Sequence, residues 1–145
     1  MKVRVLAIVA NIEIVQLTLV PSDQLLAEQS RVVTACSGQL PFGELHVTLA
    51  CSSPLSDSHT LPEPPTHIEF VDTAVMAARE DKSSTYLRVS DSSQEQLAHY
   101  VRELEGVLGV QLSEESRVFH VSLSNLTGAP RGSIAKVWDH PVVPV

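Results

Sequence analysis

Cysteine is scarce in this chain, and basic residues are outnumbered by acidic ones. The 2 cysteines, Cys36 and Cys51, cannot build a disulfide framework. The expected setting is therefore reducing and cytoplasmic, with both thiols small and buried. Lys and Arg number 10 against 17 Asp and Glu, a formal net charge of -7. That balance excludes a protein that coats duplex nucleic acid, because neutralising phosphates needs clustered cations. It leaves room for a small phosphate substrate in a locally positive cleft. No apolar run reaches the roughly 18 residues of a membrane span. The opening MKVRVLAIVANIEIVQLTLV begins with basic residues and then turns apolar, as export signals do. Asn11 and Glu13 interrupt it and no small-residue cleavage site follows, so its Val, Ile and Thr read as strand. There are 6 histidines, but none pair at His-x3-His spacing. No metal and no other cofactor is expected.

What the chain does have is enough apolar residue for one core. It is 43% hydrophobic over 145 residues, which suits a single domain spanning residues 1–145. Residues 2–20 read as one long strand or as a hairpin turning near Ala10-Asn11. Pro21-Ser22-Asp23 opens a helix carrying Leu25, Leu26, Val32, Val33 and Cys36 at helical spacing, with Gly38 as its stop. Strand returns at Leu45–Ala50. Residues 52–66 form a Pro/Ser-rich loop. Two short strands are predicted at His67–Val71 and Val75–Ala78, a polar turn at Arg79–Ser84, and a strand at Thr85–Val89. Ser92 and Glu95 have capping-box spacing ahead of a second helix. Leu97, Val101, Leu104 and Leu108 give that helix its apolar stripe, and Gly109 ends it. Val118–Leu123 is strand. The tail from 125 is predicted to be irregular, with one short strand near Ala135–Trp138.

The organisation repeats. Strand, helix and strand lead to LHVTLA in the first half and to FHVSLS in the second. Helix start and histidine stand at similar separations, Pro21 to His46 and Asp91 to His120. This predicts a duplicated α/β unit with the two motif strands side by side. Side chains alternate along a strand, so His46 and Thr48 share one face while Val47 and Leu49 share the other. His120 and Ser122 stand likewise against Val121 and Leu123. Two imidazoles and two hydroxyls facing one cleft suit phosphodiester chemistry. A neutral histidine accepts a proton from the nucleophile, and a protonated one supplies the departing alkoxide. The hydroxyls donate to non-bridging phosphate oxygens.

LHVTLA and FHVSLS resemble the paired signature motifs of the two-histidine (2H) phosphoesterase superfamily. That resemblance implies an α+β fold of two pseudo-symmetric lobes, each an antiparallel sheet with an outer helix, around a central cleft. It implies metal-independent phosphodiester cleavage, with His46 and His120 as the acid/base pair and Thr48 and Ser122 as phosphate-contacting hydroxyls. The short, acidic chain favours a small or cyclic nucleotide over a large RNA, a 2′,3′-cyclic phosphate or cyclic oligonucleotide above others. A 2′-5′ oligonucleotide phosphodiesterase is the alternative within the enzyme class. A module that sequesters a nucleotide or RNA end without turnover is the alternative outside it.

Three further residues are candidates for holding substrate. Trp138, the single tryptophan, either stacks on a base or closes the edge of the core. Phe42 carries the same pair of readings. Arg131, in the loop-like APRGS, heads a group of candidate phosphate neutralisers with Arg79, Lys82, Arg88 and Lys136, each also suited to a solvated surface. His99 reads as solvated, and Glu103, Glu105, Glu114 and Glu115 as a solvated acidic face.

Overall fold

The computed structural model describes residues 1–51, 60–112 and 117–145. In chain order its elements are β1 (Lys2–Ala10), β2 (Val15–Val20), α1 (Asp23–Ala35), β3 (Leu40–Pro41), β4 (His46–Ala50), β5 (His67–Glu69), β6 (Val75–Arg79), β7 (Lys82–Arg88), α2 (Asp91–Leu108), β8 (His120–Asn125) and β9 (Val142–Pro144). Short 3-10 turns occupy Pro130–Gly132 and Val137–Asp139. The fold is mixed α+β, built on antiparallel pairing. The strands form one hydrogen-bonded sheet in the order β5-β1-β2-β4-β8-β7-β6-β9, with β3 also paired to β8. Where two small sheets were expected, the halves join through Val47 of β4 and Val121 of β8.

Local chemistry explains the boundaries. Residues 2–20 form a hairpin because Asn11 Oδ1 accepts from the backbone N–H groups of Glu13 and Ile14, at 2.8 and 3.0 Å, closing a turn. Ser22 caps α1 by accepting from Leu25 N. Ser90, not Ser92, caps α2, accepting from Ser93 N. Asp91 is already helical, which puts Ser92 inside the first turn. Gly109 ends α2 in the left-handed region at φ 68°.

The two central strands turn Val47, Leu49, Val121 and Leu123 toward the helices. There they pack with Leu25 and Val32 of α1 and with Leu97, Val101 and Leu104 of α2. Burying each such side chain stabilises the fold by about 2 kcal/mol. Buried Gln29 of α1 donates to the carbonyls of Phe42 and Leu123, both at 3.0 Å. Gln94 of α2 donates to Arg117 O and accepts from Phe119 N, both at 2.9 Å. Each helix thus holds the backbone beside a motif strand by a glutamine side chain.

Several expectations change. The segment at His67 pairs with β1, while Val75–Arg79 pairs with β7, so the two lie at opposite ends of the sheet. The polar turn narrows to Glu80-Asp81, with Arg79 opposite Lys82, because Glu80 takes a positive φ of 50° and closes a tight hairpin. Residues 135–138 make no strand; the tail's strand is β9, paired with β6. Leu26 is exposed, so the α1 stripe is narrower than its apolar pattern. Both cysteines are free thiols, but Cys36 is half-buried and Cys51 exposed, since each falls just past the end of its element. Residues 52–59, with His59, and residues 113–116, with Glu114 and Glu115, lie outside the described residues. Glu103 and His99 are exposed, with His99 Nε2 3.1 Å from Glu103 Oε1, and the half-buried Glu105 accepts from Leu112 N. No helix among the described residues is long and apolar enough to cross a membrane.

Candidate active site

The face of the sheet opposite the helices carries the other half of each alternation. Along β4, Val47 and Leu49 are buried while His46 and Thr48 keep partial exposure, and β8 repeats this at positions 120–123. Antiparallel pairing of Val47 with Val121 makes His46 the cross-strand neighbour of Ser122, and Thr48 that of His120. Cβ atoms so opposed stand about 5 Å apart. The four motif side chains therefore form one patch.

That patch floors a cleft of about 500 Å³. All four motif residues line it, as do Phe42 and Trp138. Arg131 does not; it is exposed on the 3-10 turn that starts at Pro130. Phe42 is only 5% exposed and also belongs to the main core, so it is cleft wall and core at once. The tail builds the opposite wall. Ile134 and Val137 bury themselves against Tyr86 and Ala77, with Trp138 packed beside them. The backbone N–H of Ile134 donates to Ser84 Oγ at 3.2 Å, fixing the tail to β7.

His120 sits in an aromatic box. Its ring centroid is 5.0 Å from that of Tyr86, edge-on, and 5.8 Å from that of Trp138. Arg117 stacks on Trp138, its guanidinium carbon 5.0 Å from the ring centroid. Arg117 also contacts Cys51 Sγ at 3.5 Å. His120 keeps some exposed surface, yet protein surrounds most of the ring. Burial pushes its pKa down from 6.5 to about 4. Hydrogen bonding to Val118 O pulls the other way, and the charges of Arg117, His46 and Arg88 add to the depression. His46 is also held below 6.5, chiefly by burial, with the carbonyl and carboxylate of Glu44 opposing it.

The 2.8 Å contact between His120 Nδ1 and Val118 O fixes the tautomer. Nδ1 carries the proton, and Nε2 is the unprotonated nitrogen of the neutral ring. Glu44 stands in the matching position two residues before His46. Its carbonyl lies near that ring but outside hydrogen-bonding geometry, so Nδ1 of His46 is buried without a partner among the described residues.

Arg117 and Gln16 line the cleft and buried Tyr86 packs behind His120, and none of the three belongs to the motifs. Arg117 stands three residues before His120, so a cation just upstream of the motif was the available signal. Tyr86 and Gln16 reach the site only through register, paired with Ser122 and Thr48 respectively. Of the suggested neutralisers, Lys136 lines the cleft and Arg88 pairs with His120 on the next strand. Arg79 and Lys82 border a separate hollow at the β6–β7 turn. Among the described residues no group of three or more His, Cys, Asp or Glu is placed to hold a metal ion. No protein-family model, characterised protein or solved structure matches this chain.

Proposed function

We propose that the chain is a two-histidine phosphodiesterase acting on a small or cyclic nucleotide. The observation that carries this reading is the pairing of β4 with β8, which puts two His-x-Thr/Ser motifs on one face within one cleft. The two halves of the sheet support it further. Each half runs as a hairpin, a helix, a motif strand and an edge strand, and the strand order reads alike from either end. Gln16 pairs with Thr48 as Tyr86 pairs with Ser122, and a bulge falls just before each of Gln16 and Tyr86. Such correspondence is what two pseudo-symmetric lobes from a duplicated unit would give.

In the proposed reaction the phosphate sits over the four motif side chains. Thr48 and Ser122 donate to its non-bridging oxygens, and Arg117 with Lys136 supplies positive charge in a protein that is acidic overall. His120, with its low pKa, is neutral and takes the proton from the attacking water. The new P–O bond forms as the bond to the departing alkoxide breaks. His46, on the side of Glu44, gives that alkoxide its proton. The products are a phosphate monoester and an alcohol, or a single ring-opened monoester from a cyclic substrate. The scheme routes no step through a metal.

A substrate panel tests this: 2′,3′-cyclic mononucleotides, 2′-5′ oligoadenylates and cyclic di- and trinucleotides, each with wild type, His46→Ala and His120→Ala. Turnover by wild type and a loss of at least about a hundredfold in either variant is expected, a general acid–base residue contributing roughly 10²–10⁴-fold. Activity surviving both substitutions sinks the proposal. Nucleotide recovered intact after heating the protein would favour sequestration instead.

A further inference from the structure

The cleft continues past the two histidines. A second hollow of about 320 Å³ opens beside His46, between the segment at 42–44 and the loop at 128–130. It shares Gln16, Phe42, His46 and Pro130 with the main cleft, so one groove runs across the motif residues with His46 between its two parts.

The two parts differ in chemistry. On the His120 side stand Trp138, Arg117 and Lys136, suited to an aromatic, anionic group. On the His46 side the hydrogen-bonding side chains are Gln16 and Glu44, with Gln16 Nε2 3.4 Å from Glu44 Oε1. Among the described residues no Lys or Arg lines the second hollow. A carboxylate repels a second phosphate there and accepts hydrogen bonds from hydroxyls.

Its far wall is built rather than slack. Buried Asn125 accepts from the N–H groups of Thr127 and Gly128 and donates to Ala129 O and Ser133 Oγ, all within 3.0 Å. Gly128 takes φ +72°, and a Cβ there would stand 3.3 Å from both Leu40 Cβ and Pro41 O. The loop therefore lies hard against β3.

We infer that this second hollow is a subsite for a hydroxyl-bearing, uncharged group on the far side of the scissile phosphate, held by Gln16 and Glu44. The preferred substrate is then a diester whose second sugar carries no further phosphate, a dinucleoside monophosphate, rather than a cyclic phosphate of one nucleoside or a cyclic dinucleotide. This rests on the phosphodiesterase reading and adds the substrate class. His46, at the junction, is the group beside the ester oxygen that departs with the second sugar.

The test compares a dinucleoside monophosphate with the methyl ester of the same nucleotide, which keeps the diester but lacks the second sugar. Wild type is expected to favour the dinucleoside by tenfold or more in kcat/KM. Glu44→Ala and Gln16→Ala should each bring that ratio toward one, mainly through KM. Using the ratio cancels any effect of Glu44 on His46, since both substrates meet the same histidine. Equal kcat/KM for the two substrates in wild type, or an unchanged ratio in both variants, overturns the subsite. If neither diester is turned over, the phosphodiesterase reading fails separately and calorimetric binding of the same pair decides the subsite. Tighter binding of the dinucleoside that Glu44→Ala abolishes supports it, and equal binding overturns it.

Discussion

His120 is buried beside the rings of Tyr86 and Trp138, with the cations Arg117 and Arg88 acting on it as well. Arg117 and Arg88 both disfavour its protonation, and Tyr86 and Trp138 exclude water from it. His46 has a carboxylate, Glu44, in the corresponding place. The two imidazoles are chemically alike, and in the proposed reaction it is their surroundings that set base and acid apart. With His120 as base and His46 as acid, kcat/KM should rise with pH as His120 loses its proton near 4 and fall again as His46 loses its own. Because His46 is held below 6.5, the optimum should lie on the acid side of that value. A pH–rate profile on any cleaved diester checks this, and an optimum above pH 7 would reverse the roles or discard them. Tyr86 adds a second residue-scale test. Its hydroxyl is buried without a hydrogen-bond partner among the described residues. Tyr86→Phe should therefore leave stability unchanged or raise it by up to about 1 kcal/mol in denaturant melts.

At the scale of elements, the strands carry the motif side chains and the loops brace them. Ser90 and Ser92 both precede α2, and the structure gives the capping bond to Ser90. Ser90→Ala should cost about 1 kcal/mol in urea unfolding, and Ser92→Ala a few tenths at most. The reverse order would move the helix start. The sequence pattern misplaced this cap because capping-box spacing is satisfied by Ser92 and Glu95, and only the helix's first hydrogen bonds distinguish the two serines. The loop after β8 depends on a single side chain. Asn125→Ala strands the N–H groups of Thr127 and Gly128 and should cost about 2–3 kcal/mol. A melt within 0.5 kcal/mol of wild type would show that the loop holds itself by other means. Nothing in the sequence singled out Asn125. Its value comes from closing a turn against a strand, and a turn asparagine in a polar tail has many local uses.

Across the whole molecule, the low pKa of His120 couples the site to folding. The unfolded chain would titrate this histidine near 6.5 and the folded one near 4. Between those values the unfolded state binds more protons, so stability rises with pH across the window and is lost as pH falls through it. The full effect is at most about 3 kcal/mol, since the ring is not wholly withdrawn from water. Thermal melts at pH 7 and pH 4 should show the loss in wild type, and a smaller one in His120→Asn. An equal loss in both would assign the acid sensitivity to other groups. The sheet order also bears on the whole. The motif strands β4 and β8 lie next to each other at its middle, so the cleft spans the line where strands from the first and second halves of the chain meet.

The alternation of side chains along a strand is a property of the backbone, and it was readable in LHVTLA and FHVSLS without knowing any partner. The existence of both helices was readable in the same way from their apolar spacing, and Gly109 ends α2 as expected, though α2 starts from Ser90 and α1 stops at Cys36, short of Gly38. The sequence by itself therefore determined that His46 shares a face with Thr48, and His120 with Ser122. It could not determine that the two faces meet. That depends on Val47 finding Val121, a contact across 74 residues set by burial of both strands under helices from each half. The rest of the cleft is of the same kind. Gln16 and Tyr86 enter by register, and Arg117 and Trp138 because the tail packs Ile134 and Val137 onto Tyr86. Arg131 was misplaced for the converse reason: position in a loop says nothing of which way the loop is turned. Only the tertiary structure decided these, because register and packing arise from cooperative burial of residues distant in the chain, whereas period and capping arise from neighbours.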